Sequence, residues 1–240
     1  VNRDESRSRT WGFPRQLLED HLALALMLWA GFVVVVAGIT LGIAWLGTVT
    51  GSVWEPATSV VPWYVAFMSG YVLFQVMPLY ISHGRTRHDT AIEMVVFVVI
   101  FAATAALLVC LGFLLERGFY AIAGWPLDFS DDRLFSSHLD LLPMLIENLL
   151  VMLTWAASGA LVGAAVYRSP DTGWLSLAPA ALFVSLSGGF SAGFMGVLAR
   201  IIPAFDASSL PLATVVSLSG FLVALWLTWY IVRDVPLRSK

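Results

Sequence analysis

Six predominantly apolar blocks of 23 to 26 residues leave this chain few ways to fold: Leu22–Leu46, Ala57–Ile81, Ile92–Leu115, Met144–Tyr167, Trp174–Ala199 and Leu210–Val232. Apolar runs longer than about 18 residues read as membrane spans. A backbone inside hydrocarbon must satisfy its own hydrogen bonds, so each span is expected to be helical. Composition agrees: 59% of residues are hydrophobic and 12% charged, against about 25% charged in a typical soluble domain. One soluble core could not hide that much apolar side chain. The expected fold is therefore all-α, a polytopic membrane protein with six transmembrane helices over residues 22–232. Cytoplasmic tails are expected at 1–21 and 233–240.

The N-terminal part divides in two. Residues 1–10 are polar and of mixed charge, as in a disordered tail. From Trp11 to His21, Leu17, Leu18 and His21 share one helical face with Leu22, while Arg15, Glu19 and Asp20 lie elsewhere. That pattern suits a short amphipathic helix in the membrane interface, or an extension of the first span. The 25-residue run after it exceeds a signal-peptide core and has no small-residue cleavage site behind it, so it reads as a retained span.

Orientation follows from the basic residues. Arg3, Arg7, Arg9, Arg15, Arg85, Arg87, Arg168, Arg233, Arg238 and Lys240 fall on one side of the six spans, and Arg117, Arg133 and Arg200 on the other. The richer side is expected to be cytoplasmic, which places both termini inside a plasma membrane crossed six times. Trp11, Trp54, Trp63, Trp125, Trp174 and Trp229 lie near span ends, where indole rings favour the interface.

Residues able to do chemistry are sparse. The chain lacks an HExxH, a GxSxG, a phosphate-cradling glycine loop and any span with paired carboxylates, so it offers no catalytic residue, cofactor site or metal site of its own. His83 and His88 sit in a solvated basic loop, and the lone Cys110 reads as a small buried apolar residue. Ion-coupled transport leaves ionisable groups near the bilayer midplane. Here Glu93 and Glu147 lie only at span edges, and Gln75 is the deepest strongly polar side chain. Gln75 serves either a helix-to-helix hydrogen bond or the lining of a cavity. In the fifth span Ser185, Gly189 and Gly193 form a small-residue stripe, suited to close packing within the chain or to a subunit contact.

The most polar interruption is Met77–Thr90, with two arginines, two histidines and an aspartate between His83 and Asp89. Its run Ile81-Ser82-His83-Gly84-Arg85-Thr86-Arg87 resembles the loop after the second span in small bacterial ABC transporter permeases of the six-helix exporter type. The interface helix, span count and inward termini fit the same family. The resemblance implies an ATP-driven exporter in which this chain is the membrane subunit, without an enzymatic site. His83, Gly84, Arg85, Thr86 and Arg87 would dock a separate cytoplasmic ATPase that binds ATP and Mg. A second permease subunit, identical or similar, would complete the pore within the lipid bilayer, and no nucleic acid is involved. Larger relatives carry a sizeable outer segment between the fifth and sixth spans. Here Arg200–Ser209 is short, and the acidic outer segment lies at Glu116–Pro143. The alternative is a stand-alone membrane protein: a secondary transporter, sensor or scaffold with no ATPase partner.

Overall fold

The computed structural model describes residues 15–127, 135, 137, 139–187 and 210–233, and among these the chain is all-helical with no strand. Among the described residues five helices are long and apolar enough to cross a membrane. We label the helices α1 (Arg15–Leu46), α2 (Trp54–Ser82), α3 (Arg87–Ala123), α4 (Leu141–Arg168), α5 (Leu177–Ser187) and α6 (Leu210–Val232). The expected fifth span is described only as the eleven residues of α5, and its remainder lies outside the described residues.

Helix α1 differs from expectation. No break occurs at His21: Arg15–Leu46 is one 32-residue helix, so the described part of the expected interface helix belongs to the first span. The physical reason is visible in the sequence, since no glycine or proline stands between Arg15 and Trp29. Leu17 and Leu18 pack into the protein core, at 7% and 3% exposure, and do not rest on a membrane surface.

Helix α4 is the centre of the bundle. It packs on α2, α3, α5 and α6, while α1 rests mainly on α3. Of the apolar window of α4, 67% is buried, against 11% for α1. Small residues explain the difference. Between lipid-immersed helices there is no hydrophobic drive to associate, so close van der Waals packing must supply it. Gly159 and Gly163 on α4 meet Ala66 and Gly70 on α2 so tightly that a Cβ on either α4 glycine would run into the facing backbone. A Cβ at Gly70 would lie 2.9 Å from the Gly159 carbonyl oxygen. Two small-xxx-small pairs thus lock α2 to α4.

Helix α2 is irregular. A 3-10 turn spans Thr58–Val60 and a wider π turn spans Val72–Val76. Pro78 has no N–H to donate to the carbonyl four residues earlier, and its ring crowds that carbonyl. The widened turn just before it absorbs the defect.

Helix α3 runs further than its apolar core. Its 37 residues extend roughly 55 Å, well beyond a hydrocarbon thickness of about 30 Å. The outer connection expected from Glu116 therefore begins only after Ala123, where Gly124 at φ +70° ends the helix. Glu116 fails to stop the helix because α2 neutralises it. Its Oε1 accepts the backbone N–H groups of Val53 and Trp54, each at 2.8 Å, and its Oε2 accepts the Ser52 hydroxyl at 2.7 Å. This carboxylate on α3 caps the start of α2, satisfying donors that a helix N-terminus leaves free. Trp54 departs from the interfacial expectation as a consequence. It is 3% exposed, lies across Gly112 and donates its indole N–H to the Val109 carbonyl.

Candidate functional site at the basic end of the bundle

The α2–α3 elbow closes in four residues, His83 to Thr86, and each has a local structural task. The Gly84 N–H donates to the Ile81 carbonyl and the Arg85 N–H to the Tyr80 carbonyl, at 3.1 and 3.2 Å. These two bonds form a Schellman C-cap, which needs a left-handed residue at its hinge. Gly84 supplies it at φ +84°, a conformation most side chains resist. Thr86 then opens α3, its hydroxyl accepting the Asp89 N–H at 3.1 Å. His83 lies with Nδ1 2.7 Å from the Leu79 carbonyl, where an Nδ1–H donates. A helix stop and a helix start therefore follow one another with no slack between them.

The arginines divide their work. Arg85 forms an ion pair and hydrogen bond with Glu93, in the second turn of α3, and its guanidinium lies 5.5 Å from the Tyr80 ring centre. Glu93 is buried, and its Oε2 has no hydrogen-bond partner among the described residues. Arg87 is exposed and donates to the Arg233 carbonyl at 3.2 Å. Arg168, at the end of α4, donates to the Ile231 carbonyl at 3.3 Å. Two cations from different loops thus meet the carbonyl end of α6, where the helix dipole favours positive charge. His88 packs edge-on against Trp229, ring centres 5.9 Å apart.

The structure therefore brings His83, Gly84, Arg85, Thr86 and Arg87 together on one rigid turn and adds Arg168 and Arg233 beside them. Gln75 is elsewhere. It lies on the outward face of α2, exposed, on the π turn and one helical turn beyond the exposed Tyr71. Ser185 is exposed on α5, while Gly189 and Gly193 lie outside the described residues. In the sequence Glu93 stands at a span edge and Glu116 opens the outer connection, and neither shows its partner. A signal for the first was available, since Arg85 and Glu93 are the charges that flank one tight turn near the membrane edge. The α2–α4 lock was legible too, as Ala66-xxx-Gly70 and Gly159-xxx-Gly163. Comparison with protein-family models, with curated proteins and with solved structures finds no match to this chain.

Proposed function

We propose that this chain is the membrane-spanning subunit of an ATP-driven exporter of the six-helix ABC permease type. It lies in the plasma membrane with both termini in the cytoplasm. The observation that carries the reading is the elbow: a basic turn without slack, capped at both ends, whose Arg85 is latched to Glu93 on a long helix. A docking loop transmits motion only if it moves as one body with the helices behind it, and this geometry supports that role. The exposed His83, Gly84 and Arg87, with the partly exposed Arg85, would contact a separate cytoplasmic ATPase that holds ATP and Mg. A second permease subunit would cover the outward face of α2, where Gln75 is an expensive side chain to leave against lipid.

The alternative is a stand-alone membrane protein, and one observation favours it. Both elbow arginines already have intramolecular partners, Glu93 and the Arg233 carbonyl. Purification of the tagged chain with its native partners separates the two readings. We expect a nucleotide-hydrolysing subunit to co-purify with the wild type, and the paired changes His83→Glu and Arg87→Glu to release it while leaving the helices inserted. Purification of the wild type without such a subunit, or unchanged binding by the double variant, would favour the alternative.

A further inference from the structure

Helix α2 presents a full-length stripe to the outside of the bundle. Val60, Trp63, Phe67, Tyr71, Gln75 and Leu79 recur every three or four residues, and all are exposed. The helix meets α4 through Ala66 and Gly70, so this stripe is a separate face. Tyr71 lies roughly 4.5 Å along the axis from the middle of the 29-residue helix, and Gln75 about 10 Å. With α2 centred in hydrocarbon about 30 Å thick, both stand inside it. Neither the Tyr71 hydroxyl nor the Gln75 amide has a hydrogen-bond partner among the described residues.

The outward surface of α1 is different. Every exposed residue there from Ala23 to Ile43 is alanine, glycine, methionine or a larger aliphatic. The polar groups of α1 in that stretch are bonded within the protein: Trp29 donates its indole N–H to the Leu108 carbonyl, and Thr40 its hydroxyl to the Val36 carbonyl. A hydroxyl and an amide left in hydrocarbon lose their bonds to water without replacement, which is costly. A facing helix can return those bonds and lipid tails cannot. The chemistry of the two groups also selects the helix. Two copies of a membrane chain share one orientation, so a two-fold axis relating them runs along the membrane normal. Each residue near that axis meets its own counterpart at the same depth, and must be able to pair with itself. A primary amide and a phenolic hydroxyl both donate and accept. No charged side chain, which would meet its like, stands in the stripe.

We infer that the chain forms a homodimer through α2, with the Gln75 amides of the two copies bonded to each other and the Tyr71 hydroxyls paired one turn away. This rests on the reading above for a second subunit at this face, and adds that the subunit is a copy of this chain and which groups join it.

Two measurements on the full chain test it. In a Cys110→Ala background, Phe67→Cys and Leu79→Cys stand one turn to either side of the Tyr71–Gln75 pair. Oxidation of membranes with copper phenanthroline should link each into a dimer of twice the chain mass. Val35→Cys, equally exposed on α1, should stay monomeric. Energy transfer between donor- and acceptor-labelled chains in detergent then gives the dissociation constant. Gln75→Leu should raise it about tenfold, the scale of interhelical hydrogen bonds in membranes, and Tyr71→Phe should raise it less. A wild type that shows no transfer, a Gln75→Leu chain that pairs as tightly as wild type, or dimers linked only from α1 would overturn the proposal. So would linkage of the α2 positions to an unlike chain alone, which would make a different subunit the occupant. The two readings fail separately. A homodimer that purifies without an ATPase keeps this inference and removes the exporter, and an ATPase held by a chain that never pairs with itself does the reverse.

Discussion

Glu116 shows how one side chain can set where two helices begin and end. It lies on α3, yet three of its hydrogen bonds go to the start of α2, and Tyr120, one turn on, donates to the Gly51 carbonyl at 3.2 Å. Removing the carboxylate would strand two backbone N–H groups and a hydroxyl in a largely buried place. Leaving buried donors without acceptors costs about 1–3 kcal/mol. We therefore expect Glu116→Ala to lower stability in detergent by about 2 kcal/mol. Glu116→Gln, which keeps one acceptor oxygen, should lose about half as much. Thermal unfolding of the purified protein measures both, and equal losses in the two variants would show that the negative charge, not the acceptor, is what matters.

At the scale of helices, the contact that organises the bundle is the crossing of α2 and α4 at Ala66, Gly70, Gly159 and Gly163. It succeeds because backbones meet where side chains are missing. A larger residue there forces the helices apart, and overpacking of a close contact costs about 1–3 kcal/mol. Gly163→Val should destabilise by at least that amount. Gly118→Ala on α3, where an added Cβ meets nothing within 4 Å, should be neutral or slightly stabilising, since alanine favours the helix by about 1 kcal/mol over glycine. Unfolding of the two variants side by side is a direct comparison. A Gly163→Val protein as stable as wild type would mean that α2 and α4 can separate without loss. Gly112 is a second such site, where the Trp54 ring occupies the space of a Cβ.

The whole molecule has two unlike ends. Arg85, Arg87, Arg168 and Arg233 gather at one, around the elbow and the last turn of α6. Glu116 and Gly124 mark the other. Because cytoplasmic loops of membrane proteins are enriched in arginine and lysine, the elbow end is expected inside. In a Cys110→Ala background, His83→Cys should react with an impermeant thiol reagent only after permeabilisation. Ile122→Cys, at a position 90% exposed, should react in intact cells. The reverse labelling would invert the protein in the membrane, and with it the proposed docking surface.

The long apolar blocks determined by themselves that the chain is helical and suited to a membrane, because hydrocarbon leaves a spanning backbone no other way to satisfy its hydrogen bonds. The positions of five of the six expected spans were legible for the same reason, and Leu210–Val232 keeps the bounds its apolar run suggests. Local chemistry was legible in the elbow as well, since Gly84 and Thr86 are a helix stop and a helix start in adjacent positions. What lay beyond the sequence was pairing at a distance. Glu93 read as a polar edge until Arg85 met it, and Glu116 read as the end of a span until the start of α2 arrived to be capped. The length of α1 was equally undecided, because the same leucines, Leu17 and Leu18, can face a membrane or a protein core. Only packing chooses between those two apolar surroundings, since a side chain gains about as much from leaving water for either.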